Sequence, residues 1–250
     1  MMKYSIIEDS KKHSEKGCVP WYVDRETTLE GLLNSSWMRK CFKRIFDTYG
    51  RDATKSLLGR STQIDKDSYP AFFELYQNCC NTLEVYNQPK TFASPDLMGF
   101  NAISLQVGDE PVIMCSLQAT ILLPTSEVKF LLGHELGHHQ QGNLIAHSVE
   151  YLLDIVHDKS EILGAIIDDS IQAKLKRWSQ HTEFNADRAG YLCCKDMDAI
   201  ESLFSKIQDP RFRTKYRDLT ELYQSHPFVK TRLQKIREFA QSVENLKIKQ

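Results

Sequence analysis

The sequence predicts an α+β domain, rich in helix, with one small antiparallel sheet. Two observations carry this expectation. Apolar residues recur at three- and four-residue spacing through much of the chain, the period of a helix with one buried face. The clearest exception is Phe100 to Cys115. There Ile103, Leu105 and Val107 alternate along one side of a strand, Gly108-Asp109 supplies a turn, and a second apolar run continues from Val112 to Cys115.

The elements follow in order. Residues 1–33 are polar and mixed, with weak structural signals. From Ser35, the residues Trp37, Met38, Cys41, Phe42, Ile45, Phe46 and Tyr49 keep helical spacing. A second amphipathic helix fits Tyr69 to Leu83, and residues 84–98, with Pro89 and Pro95, read as strand and loop. After the hairpin and Pro124, Thr125 or Ser126 can cap a helix running to about Gln141, where Gly142 can end it. Two further stripes run through Ile145, Val149, Leu152, Leu153 and Val156, and through Leu163, Ile166, Ile167, Ile171, Leu175 and Trp178. A helix carrying Glu183 comes next. A last one, from Phe228, presents Val229, Leu233, Ile236, Ala240 and Val243. The organisation expected is an N-terminal helical segment, residues 1–65, ahead of a single domain over residues 66–250.

Composition removes several classes of function. Lys and Arg number 32 against 33 Asp and Glu, so the chain lacks the basic excess of a nucleic-acid binder. The interleaved run Arg211-Phe-Arg-Thr-Lys-Tyr-Arg217 is too local to change that and reads as a solvated face. The seven cysteines have no C-x-x-C spacing, and two adjacent pairs, Cys79-Cys80 and Cys193-Cys194, lie in apolar helical stretches. Reduced thiols in a cytoplasmic protein are the expectation. The N-terminus lacks the apolar stretch of a signal peptide, and the longest uncharged run, Pro111 to Ser126, is too short and too polar to span a bilayer, so no transmembrane segment is expected.

The chemistry centres on His134-Glu135-Leu136-Gly137-His138. Residues four apart on a helix lie about 40° apart around its axis, one turn along, so both imidazoles can reach one metal ion. Glu135 projects at a neighbouring angle and can touch an activated water without ligating the ion. Catalytic zinc takes three protein ligands and leaves one position open. A third histidine just downstream is absent, because positions 141 and 144 are Gln and Leu. Glu183 on the later helix supplies the ligand instead. Asp187, four residues on and on the same face, would accept a hydrogen bond from the distal nitrogen of a ligand histidine. Glycine placement argues for the pairing. Gly133 and Gly137 flank one motif, Ala186 and Gly190 the other, and small residues at that spacing let two helix backbones approach closely enough for a glutamate to reach across. His139 lies off the ligand face, and His147, His157 and His181 come without a partner carboxylate.

Three further segments add to this pattern: Phe100-Asn101-Ala102, Glu183-Phe-Asn-Ala-Asp187-Arg-Ala-Gly190, and Ser225-His226-Pro227 with Arg232 six residues after the histidine. With the histidine motif, they resemble the HtpX and CAAX prenyl protease type of zinc metallopeptidase, a branch of the gluzincins, over roughly residues 70–240. The resemblance implies a zincin-like domain binding one Zn2+ through His134, His138 and Glu183. It also implies a strand near Asn101 before the active-site helix and a protein or peptide substrate. Many such proteins carry membrane helices, some between the two metal-binding helices. Here that interval holds Glu150, Asp154, Asp158, Lys159, Glu161, Asp168 and Asp169, so the soluble members are the better analogy.

The function expected is hydrolysis of internal peptide bonds, with Glu135 as general base. His226 is a candidate donor to the developing oxyanion, and the alternative is a histidine capping the C-terminal helix. The rival readings are a scaffold or regulator with a structural zinc site, and a zinc hydrolase of small peptides.

Overall fold

The computed structural model describes residues 51–107, 110–141, 169–209 and 229–247, together with Tyr22, Lys40 and Leu144. The helical stripes read over residues 35–49 and 145–168, the turn at Gly108-Asp109, Gly142 and the segment around His226 lie outside the described residues.

Helix α1 (Arg51–Gly59) leads into the two-residue strand β1 (Thr62–Gln63), then α2 (Pro70–Thr82) and β2 (Lys90–Ser94). Pro70 opens α2, where its missing N–H costs no helical bond. Strands β3 (Ala102–Val107) and β4 (Glu110–Ser116) form the expected hairpin in antiparallel register, Ala102 opposite Cys115 and Ser104 opposite Ile113. The sheet order is β1-β2-β4-β3.

The sheet is mixed rather than antiparallel throughout, which corrects the sequence expectation. β2 runs parallel to β4, Lys90 opposite Val112 through Ser94 opposite Ser116. The reason lies in the connection. After β2 the chain crosses over to the edge as β3, and the hairpin folds β4 back between the two. β4 is then covered on both faces, which is why Val112 to Cys115 reads as a continuous apolar run. Val112 and Met114 pack with Leu97, Leu105, Leu57 and Leu58 on one side, and Ile113 and Cys115 with the main core on the other.

Ser116 caps the short helix α3 (Leu117–Leu122), accepting from the Ala119 amide at 3.0 Å. The sequence reading took this segment as part of an uncharged run and missed the helix. Pro124, not Thr125 or Ser126, is the N-cap of α4 (Thr125–Gln140). Every residue of α4 from Val128 to His138 except Lys129 is buried, so this helix runs through the centre of the domain. Its one acidic first-turn residue, Glu127, is buried and held by Lys206 at 2.6 Å and Ser202 at 2.8 Å.

Helix α5 (Asp169–Cys194) is a single element of 26 residues, and α6 (Met197–Gln208), capped by Asp196, follows it. Helix α7 (Val229–Lys247) closes the domain with Ile236 and Ala240 buried. Tyr22 also belongs to the core: its hydroxyl donates to Gln140, and its carbonyl accepts from Arg188 at 3.0 Å. The five cysteines described, Cys79, Cys80, Cys115, Cys193 and Cys194, are all unbridged. Among the described residues no helix is long and apolar enough to cross a membrane.

Candidate metal centre

Close packing of α4 on α5 brings the candidate ligands together. A Cβ added at Gly133 would sit 2.8 Å from Cys193 Sγ and 2.9 Å from Gly190 Cα; one at Gly137 would sit 2.8 Å from Ala186 Cα. No side chain fits at either position without displacing backbone. The spacing of small residues read from the sequence is therefore the interlock between the two helices.

At this contact His134 Nε2 and His138 Nε2 lie 3.1 Å apart, their rings edge to face. The Glu183 carboxylate straddles them, Oε1 at 3.1 Å from His138 Nε2 and Oε2 at 3.5 Å from His134 Nε2. All three side chains are buried. Among the described residues, these three form the one group of His, Cys, Asp and Glu whose ligand atoms converge, within 4.8 Å of one another.

Asp187 Oδ1 lies 3.1 Å from His134 Nδ1. A proton on Nδ1 leaves Nε2 with its lone pair facing the other two ligand atoms. Arg232, from α7, completes the cluster. Its Nε and Nη2 donate to Asp187 at 2.8 and 2.6 Å, its Nη1 lies 3.3 Å from Glu183 Oε2, and its guanidinium stacks 4.7 Å over Phe204. Burial pushes the Asp187 pKa up, but the charge and hydrogen bonds of Arg232, with those of His134, outweigh it and hold the carboxyl below its ordinary range. Burial likewise opposes a charge on His138, and Glu183 outweighs it, so that imidazole is shifted towards the protonated form. The site draws in positive charge.

A divalent ion fits these residues on two counts. Bonds of 2.0–2.1 Å in a tetrahedron place ligand atoms about 3.3 Å apart; here the two Nε2 atoms are 3.1 Å apart, and each has one oxygen of the Glu183 carboxylate within 3.5 Å. Among the described residues, the cluster buries the three carboxylates of Glu135, Glu183 and Asp187 against the one guanidinium of Arg232, a formal excess of two carboxylates. Uncompensated buried charge of that size is costly, and a divalent cation removes it.

Residues 111–240, more than half of the chain, match peptidase family M48. The chain belongs to peptidase family M48. It is 27% identical over 108 residues to the plastoglobule-localized metallopeptidase 48 of Arabidopsis thaliana, a chloroplastic protein by its name. That match covers 43% of this chain and 31% of the relative, so the chain spans about a third of the length of the curated relative it matches. No solved structure matches the chain. The family and the relative's name agree with the chemistry of the cluster, a buried group able to hold a metal ion.

Glu135, between the two histidines, is buried. Its Oε2 and its backbone carbonyl both accept from the Ser104 hydroxyl, at 2.8 and 2.9 Å. The sequence reading missed Ser104. Alternation along β3 assigns it to the face opposite Ile103 and Leu105, which a lone strand gives to solvent; here α4 covers that face. Arg232 was legible only as part of a resemblance, with no role, because its partners lie on a helix far away in sequence. His139 faces elsewhere, with Nε2 at 2.8 Å from the Asn87 carbonyl.

Proposed function

We propose that this M48 peptidase is a zinc-dependent endopeptidase of the HtpX and CAAX prenyl protease type, acting on protein substrates in the cytoplasm. The observation that carries the reading is the convergence of His134, His138 and Glu183 within 4.8 Å beside a buried glutamate that ligates nothing. A structural site has no use for Glu135; a hydrolytic one does.

In this reading His134, His138 and Glu183 hold one Zn2+, and Asp187 fixes the His134 tautomer. When bound, zinc supplies Lewis acidity, polarising the scissile carbonyl and making water a nucleophile near neutral pH. Glu135 takes the proton of the attacking water and hands it to the leaving amine. Among the described residues, strand β3 lies at an edge of the sheet. An extended substrate can pair with it through backbone hydrogen bonds, which favours internal peptide bonds of unfolded or extended segments. His226, outside the described residues, is proposed as the donor to the oxyanion. Residues 66–250 are proposed as the peptidase domain and residues 1–65 as an N-terminal helical segment that lends it Tyr22, Leu57, Leu58 and strand β1.

The test is Glu135→Gln. The variant keeps every ligand and loses the base. It is expected to bind zinc as the wild type does, by mass spectrometry of the metal after dialysis, and to lose hydrolysis of a fluorogenic peptide selected from a mixed library by the wild-type enzyme. Wild-type turnover in this variant would remove Glu135 from the mechanism.

A further inference from the structure

We propose that Ser104 is a positioning residue for Glu135, and that it ties the orientation of the base to the strand on which substrate would lie. The inference rests on the reading of Glu135 as the general base.

One hydroxyl proton meets two acceptors. The Ser104 hydroxyl is 2.8 Å from Glu135 Oε2 and 2.9 Å from the Glu135 backbone carbonyl. Both acceptors belong to the same residue. A hydroxyl placed between them clamps the carboxylate against its own main chain and restricts the side-chain torsions that would swing it about. Without that clamp a glutamate on a helix has three rotatable bonds and loses rotamer entropy each time it adopts the reactive pose. Ser104 is itself buried, so water does not compete for its proton.

The backbone of Ser104 adds the second half. The Ser116 amide donates to the Asn101 carbonyl at 2.9 Å, and the register of β3 on β4 continues from this pair to Ala102 opposite Cys115. In an antiparallel ladder, successive residues direct their N–H and C=O groups alternately towards the partner strand and away from it. Asn101 faces β4, so Ile103 and Leu105 do too. Ala102 and Ser104 direct theirs to the other side, away from β4, at what is the edge of the sheet among the described residues. Ser104 thus turns its main chain to the edge where a substrate strand would pair and its side chain to the base. A shift of β3 that accommodates substrate also moves the group holding Glu135. The base is aligned to the strand rather than to the helix alone.

The residue type matters. Alanine at 104 fits the space and removes the hydroxyl, leaving the buried Glu135 carboxylate one donor short. The edge amide and carbonyl are unchanged, so substrate pairing survives.

The experiment compares wild type, Ser104→Ala and Glu135→Gln with the same library-selected fluorogenic peptide, alongside zinc content and thermal melting of each. The expected result for Ser104→Ala is a kcat lowered about 10- to 100-fold, KM within about twofold of wild type, and full zinc content. Wild-type kcat overturns the proposal. So does a fall in kcat matched by an equal loss of zinc, since Ser104 would then act on the metal site. A rise in KM with kcat intact overturns it as well, because the residue would then serve only the strand. Glu135→Gln separates the two levels. If that variant is inactive and Ser104→Ala is not impaired, only the positioning role fails. If Glu135→Gln retains turnover, the assignment of the base fails first.

Discussion

Helices α4 and α5 meet through two contacts built on opposite principles. On one side His134, His138, Glu183 and Asp187, joined by Arg232 of α7, bring formal charges and polar rings within 2.6 to 3.5 Å of one another. On the other, Gly133 and Gly137 offer no side chain at all to Cys193, Gly190 and Ala186. The first contact holds the chemistry; the second sets the distance at which it works. A glutamate can reach two histidines on a neighbouring helix only if the backbones come close, and here the absence of a Cβ at Gly133, Gly137 and Gly190 allows that. The difference teaches that charge alone does not build the centre: the polar side is assembled by the apolar one.

The largest effect should come from the glycine side. In Gly137→Val the new Cβ meets the Ala186 backbone at 2.8 Å, and backbone cannot rotate out of the way. We expect the variant to lose bound zinc and its cooperative thermal transition together. Gly137→Ala should destabilise by about 1–3 kcal/mol through overpacking, despite alanine's better helix propensity. Gly59→Ala is the control. A Cβ there meets nothing within 4 Å, and replacing glycine should be neutral or stabilising by up to about 1 kcal/mol. Equal melting temperatures for the Gly137→Ala and Gly59→Ala variants would show that the two helices can part without loss.

The charged side breaks in a graded way. Arg232→Met leaves Glu183 and Asp187 buried without their guanidinium, which should cost about 3–5 kcal/mol at neutral pH. The pH dependence gives the sign. The Asp187 pKa is depressed in the folded protein, mainly by Arg232 acting against burial. Its contribution to stability is therefore present above the ordinary carboxylate range and lost as pH falls through the depressed folded value. Without Arg232 the upward push of burial is opposed by His134 alone. The variant's melting temperature should fall most at neutral pH and approach wild type in acid, as calorimetry at several pH values would reveal. Glu183→Ala should lose most of its metal, and Asp187→Ala should weaken affinity about 10- to 100-fold, both read by competition with a zinc chelator.

How much of this was legible follows from the distance over which each signal acts. His134, Glu135 and His138 share one helix, and the period of that helix makes them a set before any fold is known. Glu183 and Asp187 share another, and the glycines mark which helices touch. The hairpin and α7 declared themselves by periodicity. What the sequence left hidden depends on partners brought in from elsewhere. Ser104 meets Glu135 across 31 residues and Arg232 meets Asp187 across 45, and no local pattern encodes either pairing. The parallel alignment of β2 with β4 is a property of a crossover, which period-two alternation cannot report. Helix α6 went unread although its Asp196 cap and buried Ile200, Leu203 and Phe204 are ordinary signals.

The smallest expected effect probes the apolar contact from its other partner. A Cβ at Gly133 would meet three atoms at nearly equal distance: Cys193 Sγ at 2.8 Å, Cys193 Cβ at 2.9 Å and Gly190 Cα at 2.9 Å. Only the first can be removed by substitution without touching backbone. Cys193→Ala deletes that sulfur, a half-buried group that its hydrogen bond with Cys79 and desolvation keep in the thiol form, and alone should cost about 1 kcal/mol of packing. In the Gly133→Ala background the same deletion makes room for the new methyl, so part of its cost is returned. The double-mutant cycle should therefore show a favourable coupling of about 0.5–1 kcal/mol, with zinc content in the double variant closer to wild type than in Gly133→Ala alone. Strict additivity would mean that the Gly190 backbone and the Cys193 Cβ set the helix separation by themselves, and that the sulfur merely fills the space they leave.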